Sequence, residues 1–219
     1  MNLLIQRSFL SRFILLFLIL INGVHAAPKS ETALSKASES EQTLTAKEVV
    51  RDFQRELLNA MKQGQDLGFQ GRYARLEPAV LKSHDLTKIV RIVVGKEWKQ
   101  LSSQQRQILT DVFTRLSISA YARNFKEFSG ESFVYESEDK TARGGIIVHT
   151  TLVLPDKKDV KLDYMLKKKG NSWRIINIIA NGVSDLALKR SEYTSILKRK
   201  GFEALIAKIS EKIDNYAKQ

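Results

Sequence analysis

The sequence predicts an α+β fold, with helices packed on one face of a curved antiparallel sheet of about four to five strands. Three observations lead there. Apolar residues recur at helical spacing as far as Phe128, the period falls to two from Phe133 onward, and helical spacing returns after Ser184. The pivot is the run Trp173-Arg-Ile-Ile-Asn-Ile-Ile-Ala-Asn-Gly-Val-Ser184. Read as a strand, it puts Trp173, Ile175 and Ile179 on one side and Ile176, Ile178 and Ala180 on the other. A strand apolar on both faces belongs between packed layers rather than at a wet edge.

The chain has 219 residues, 43% hydrophobic and 27% charged, which is room for one domain with a substantial core. Arg7 and Arg12 precede the nine-residue apolar run Phe13 to Ile21, and Val24 and Ala26 stand at cleavage-site spacing. That layout predicts a secretory signal peptide over 1–26, cleaved after about Ala26. An uncleaved anchor is the competing reading, but the run is short for a bilayer. Residues 27–44, rich in Ser, Glu, Thr and Ala, predict a flexible leader, and 45–219 a single α+β domain. The absence of cysteine excludes disulfides, thiol catalysis and cysteine metal sites. Loss of Arg7 and Arg12 takes the formal charge from +12 to +10. On an exported protein such a charge points to anionic lipid or polyanion surfaces before nucleic acid.

Thr45 with Glu48 forms a capping box for a first helix carrying Val49, Val50, Phe53, Leu57, Leu58 and Met61, closed by Gly64. Tyr73, Leu76 and the Glu77-Pro78 step open a second helical stretch. Asp85 caps Leu86 to Val94, with Gly95 as its stop. Ser102 with Gln105 starts the longest helix, whose stripe is Leu109, Val112, Phe113, Leu116 and Ala120, with Tyr121, Phe125 and Phe128 continuing nearby. Strands follow at Phe133 to Glu136 and Ile146 to Leu154, then a hairpin turn at Pro155 to Asp159. In the next strand Val160, Leu162, Tyr164 and Leu166 alternate with Lys161, Asp163, Met165 and Lys167. After the pivot strand, Asn181-Gly182 breaks the chain, Ser184 caps a helix that stops at Gly201, and Phe202 to Tyr216 form the last helix. Such a cone either fills its centre with side chains or leaves an apolar pocket; periodicity leaves both open.

Chemistry-bearing residues are few. His84 beside Asp85 reads as capping or exposed, and His149 lies on the strand face opposite Val148. No second histidine stands at metal-ligand spacing, and no nucleophile elbow or phosphate-cradling glycine loop occurs. Asp163 shares its strand face with Lys161 and Met165, away from the apolar side, and so reads as solvated. No catalytic residue, metal site or cofactor is expected, and the chain does not read as an enzyme. The basic positions at 157–158, 167–169, 189–190 and 198–200 are either solvated helix ends and loops or a docking face for lipid phosphate or an acidic partner. Trp98, Phe113, Tyr121, Tyr164 and Trp173 each suit core packing; as a set they also suit the lining of a lipid-tail pocket.

Several segments together resemble the toluene-tolerance or MlaC family. They are the Trp173 to Ser184 run followed by Arg190-Ser-Glu-Tyr193, Ile89-Val-Arg-Ile-Val-Val-Gly95 with Trp98, Tyr121-Ala-x-x-Phe125, and Leu162-Asp-Tyr-Met-Leu166. The likeness runs from about Thr45 to Tyr216. It implies a periplasmic carrier with an apolar pocket, the soluble component of an ABC transport system that moves lipid between outer and inner membranes. Implied partners are a phospholipid, an inner-membrane ABC transporter substrate-binding subunit and an outer-membrane lipoprotein complex, with the carrier a monomer and no nucleic acid bound. On this reading the pocket is lined by Val93, Trp98, Phe113, Leu116 and Tyr121 from helices. The sheet side adds Val148, Leu152, Tyr164, Leu166, Ile176, Ile178 and Val183, while Arg190 and Lys189 meet a head group or partner. The run from Asn181 to Tyr193 is closer to the branch of the family linked to hopanoid biosynthesis, so a hopanoid is the alternative ligand. Two rivals remain. An exported cone-fold enzyme acting on a hydrophobic substrate would need a polar group such as Asp163 or His149 facing the cavity, and a polyanion binder would show steep salt dependence.

Overall fold

The computed structural model describes residues 43–155 and 157–218. The signal peptide over 1–26 and residues 27–42 of the leader lie outside the described residues. Five helices and five strands follow in the order α1 Ala46–Lys62, α2 Gly64–Ser83, α3 Leu86–Val94, α4 Ser103–Asn124, β1 Ser132–Lys140, β2 Ile146–Val153, β3 Val160–Lys169, β4 Ser172–Ala180, β5 Val183–Ser184 and α5 Asp185–Ala217. A 3-10 turn, Gly95–Gln100, links α3 to α4. The strands form one antiparallel meander in the order β1-β2-β3-β4-β5. The predicted α+β class holds, with five strands among the described residues.

The helix starts follow the sequence signals. Thr45 and Glu48 cap α1 reciprocally, as Ser102 and Gln105 cap α4, so each box satisfies two end-of-helix donors. The Asp85 carboxylate accepts from the Lys88 amide at 3.2 Å to start α3, and Ser184 accepts from Ala187 at 3.2 Å to start α5. Val49, Val50, Phe53 and Leu57 of α1 are buried, as their spacing predicts. They meet a core that includes Leu76, Val90, Val93, Leu109, Phe113 and Leu116 from the other helices and Val148, Tyr164 and Leu166 from the sheet.

Four features differ from the sequence reading. Pro78 lies inside α2 rather than opening it; the break is at Gly68, where φ is 59°. The proline sits on the exposed face, where water reaches the carbonyl freed one turn earlier. Strand β1 runs on to Lys140, past the predicted end at Glu136. An edge strand needs only one partner, and its charged outer end blunts further pairing. Asn181 and Gly182 do more than break β4. With φ of 48° and 82° they turn the chain back on itself, so that Val183 pairs with Ala180.

The fourth difference bears most on function. Met165 pairs with Asn177 but Leu166 pairs with Ile175, leaving Ile176 as the extra residue of a bulge. The bulge reverses the alternation of β4 midway. Trp173 and Ile175 therefore share the face of Ile178 and Ala180, the partners of Tyr164 and Leu162, while Ile179 falls on the face of Asp163. Beside the bulge, the free edge of β4 is covered by the end of α2: the Asp85 amide donates to the Ile175 carbonyl at 3.0 Å.

The junction of α1 and α2 is pinned against the segment that follows α4. A methyl group on Gly64 would sit 1.9 Å from the Lys126 carbonyl oxygen, which backbone cannot yield cheaply. Gly64→Ala should therefore cost about 1–3 kcal/mol, the range of overpacking, read from urea unfolding.

Candidate functional site

A cavity of about 280 Å³ lies between the helices and the β3–β4 part of the sheet. Its walls form because three apolar stripes converge. Leu86, Ile89 and Val93 come from α3; Phe113, Leu116, Ala120 and Tyr121 come from α4; Leu162, Tyr164, Ile175, Ile176, Ile178 and Ala180 come from the sheet. Val183, Asp185, Leu186 and Lys189 close one side, and Tyr216 reaches in from the far end of α5. Lys189 is paired with Asp185, so the cation is partly neutralised at the wall.

Of the residues predicted to line a pocket, Val93, Phe113, Leu116, Tyr121, Tyr164, Ile176, Ile178 and Val183 line this cavity, and Lys189 joins them. Trp98, Val148, Leu152 and Leu166 do not. Helix α1 covers β2, where the Gln54 amide donates to the Thr150 hydroxyl at 3.0 Å, so that half of the inner face is filled by core. Trp98 lies in the 3-10 turn, with the Arg106 guanidinium 5.8 Å from its ring centre. Arg190 does not line the cavity either; it donates to the Ile92 carbonyl at 3.2 Å, tying α5 to the end of α3.

Sequence reasoning missed His84, Leu86, Ile89, Ala120 and Leu186 as lining residues. The α3 stripe was visible in the spacing of Leu86, Ile89, Val90 and Val93. Nothing in the sequence placed His84, which is buried, contrary to the reading that it is capping or exposed. Its Nδ1 lies 2.8 Å from the Ser83 hydroxyl and its Nε2 3.0 Å from the Tyr121 hydroxyl. Burial away from water pushes its pKa down to about 4, and desolvation holds the partly buried Tyr121 well above its ordinary value.

His149 is the opposite case. Its Nδ1 lies 2.7 Å from Asp163 and its Nε2 3.2 Å from Asp139, on the outer face of the sheet. The hydrogen bond to Asp163, more than any other influence, raises its pKa. Neither His149 nor Asp163, the two groups the sequence offered for an enzyme, lines the cavity; the titratable side chains that do include His84, Tyr121, Asp185 and Lys189. Among the described residues no cluster of His, Asp and Glu could hold a metal ion.

The two histidines give opposed pH dependences. His84 binds its proton less readily folded than unfolded, so its contribution is present above about pH 6.5 and is lost as pH falls toward 4, on the order of 3 kcal/mol. His149, with a raised folded pKa, contributes below the unfolded value and loses that contribution as pH rises through the folded one. Because His84 is the more buried, stability should fall between pH 6.5 and 4. Thermal unfolding across that window should show a shallower fall in His84→Gln, whatever that variant's baseline.

A second cleft, about 250 Å³, lies between α1, α2 and Arg174, rimmed by Asp52, Arg55, Glu56, Arg75 and Lys82. Its rim is largely occupied by its own ion pairs, with Arg55 at 2.7 Å from Asp52 and Arg75 at 3.9 Å from Glu56.

Fold and cavity together define the class: an α+β protein with an apolar chamber between its helical layer and its sheet. A family profile described as MlaC protein matches residues 51–211. The chain belongs to the MlaC family. It is 25% identical over 123 residues to the intermembrane phospholipid transport system binding protein MlaC of Haemophilus influenzae. That alignment covers 54% of this chain and 58% of the relative, less than two thirds of its length. The structure also resembles a phospholipid-binding protein from Ralstonia solanacearum solved in complex with a phospholipid. There the TM-score is 0.70 at 22% identity, over 80% of this chain and 99% of that one, a likeness of fold. No helix among the described residues is long and apolar enough to cross a membrane.

Proposed function

We propose that the protein is a monomeric periplasmic carrier that encloses phospholipid acyl chains in the chamber between helices and sheet. It hands lipid between an outer-membrane lipoprotein complex and the substrate-binding subunit of an inner-membrane ABC transporter. The observation that carries this reading is the chamber itself, lined mainly by apolar side chains. Family membership and the lipid-bound relative of the same fold support it. Such a carrier needs no covalent step. Each buried methylene contributes about 0.8 kcal/mol, so two chains supply ample affinity.

At about 280 Å³ the chamber is at the bottom of the size range for ligand pockets, roughly 300–1,000 Å³. Two acyl chains therefore require the helical layer to move away from the sheet. Helix α5 is broken at Gly201, where φ is 84°, and its first half forms the wall around Leu186 and Lys189. That half is the element we expect to swing. A polycyclic hopanoid would demand a wider opening still, so acyl chains are the preferred ligand. Incubation of the purified protein with vesicles carrying self-quenched fluorescent phospholipid should relieve the quenching. Unchanged fluorescence at excess protein would contradict the carrier reading.

A further inference from the structure

A chain of hydrogen bonds from Ser83 through His84 to Tyr121 reaches the chamber wall, and its proton order can be deduced. The Ser83 hydroxyl lies 2.6 Å from the Ala79 carbonyl and 2.8 Å from Nδ1 of His84. A carbonyl cannot donate, so at that separation the single Ser83 proton points to Ala79. Ser83 must then accept from His84, which fixes the neutral imidazole with its proton on Nδ1. The opposite ring nitrogen is left as an acceptor. The Tyr121 hydroxyl, 3.0 Å away, donates to it. Phe53 stands edge-on to both rings, at 4.9 Å and 5.1 Å, and holds the pair in place.

The consequence is that Tyr121 faces the chamber with lone pairs alone. The other hydroxyl on the α4 wall is in the same state, since Ser117 donates to the Phe113 carbonyl at 2.9 Å. At the sheet edge, the Asn177 side-chain carbonyl accepts from Ser184 at 3.1 Å. Ester carbonyls and phosphate oxygens, which carry no proton, find no hydroxyl donor on this wall. A hydroxyl group does find an acceptor there.

We propose that the Tyr121 hydroxyl oxygen is a specificity position that selects lipids bearing an O–H donor on their apolar body over otherwise identical lipids without one. This rests on the carrier reading above and narrows its ligand class. Where a bound lipid shields it from bulk water, an unpaired hydroxyl on the ligand is costly, and one acceptor is enough to discriminate.

The test has two arms. In the first, wild type and Tyr121→Phe are loaded from vesicles containing equal amounts of a phosphatidylglycerol and its counterpart with one hydroxyl on the sn-2 chain. Chain positions 2, 3 and 12 are used in turn, and bound lipid is quantified by mass spectrometry. Wild type should enrich the hydroxylated lipid about fivefold at one position, the effect of one hydrogen bond, and the variant should show a ratio near one. Wild type that loads phospholipid without enrichment at any position overturns the inference and leaves the carrier reading standing. Protein that loads neither lipid overturns both. The second arm does not depend on a variant folding: nitrogen-15 shifts of His84 in the intact protein at neutral pH should show the proton on Nδ1. A proton on Nε2 would reverse the chain and overturn the inference.

Discussion

Ala120→Trp is expected to lower lipid loading at least tenfold while leaving the protein folded. Ala120 lines the chamber from α4 and is only partly buried, so an indole at that position extends into free space rather than into packed core. Deeper positions such as Phe113 and Leu116 are core residues as well as lining, and changing them would confound loading with stability. A tenfold loss corresponds to about 1.4 kcal/mol, less than the contribution of two excluded methylenes, so the figure is a lower bound. The comparison to make is lipid bound per protein after vesicle incubation, alongside the thermal midpoint. Normal loading in a folded variant would place the lipid elsewhere.

Arg72→Met should be the most destabilising single change among those considered, at about 3–5 kcal/mol. Arg72 is 5% exposed, and its guanidinium makes two backbone contacts that no other residue can replace. Nε donates to the Ala122 carbonyl at 2.7 Å and Nη1 to the Gly64 carbonyl at 2.6 Å. Ala122 is in the last turn of α4, where carbonyls lack helical partners and a cation is favoured. Hydrogen bonds to a charged group are worth about 1.5–3 kcal/mol each, and methionine would leave both oxygens buried and unpaired. Arg72→Lys should recover little, because a lysine cannot span two carbonyls in one plane. Urea unfolding of the three proteins measures the difference. Equal stability of the Arg and Lys forms would refute the fork as the cause.

Both predictions rest on features of unequal visibility in the sequence. The helix boundaries were legible because their signals are local: Thr45 and Glu48, Ser102 and Gln105, Asp85 and Ser184 act within one turn. The strand order was legible because each connection is a short turn, which leaves an antiparallel meander as the simplest pairing. The faces of β4 were not. The bulge at Ile176 lies where the edge of β4 meets His84 and Asp85, about ninety residues earlier. Local alternation has no access to that contact, so Ile175 and Ile178 were separated although they share one wall.

The chamber was half legible for a similar reason. Parity correctly placed Val148, Leu152, Tyr164 and Leu166 on the inner face, but it could not tell which part of that face α1 would cover. Arg72 shows the same limit on the polar side. In the sequence it is one basic residue among many; its role exists only where α2 crosses α4. His84 was invisible as a chamber residue because its partners, Ser83 and Tyr121, come from different helices. The Asn181-Gly182 turn was read as a break and not as the hairpin it forms, although the signal for one is local. Its two left-handed residues are the usual signature of a tight hairpin, and β5 follows directly from it.

The carrier claim is tested most directly by native mass spectrometry of the full chain expressed with export and purified from the periplasm, followed by extraction of whatever lipid it holds. The account predicts a defined lipid adduct whose extract is phospholipid, present in wild type and depleted in Ala120→Trp. A hopanoid in the extract would keep the chamber but change the ligand. Protein that arrives empty and also takes up no lipid from vesicles would contradict the account.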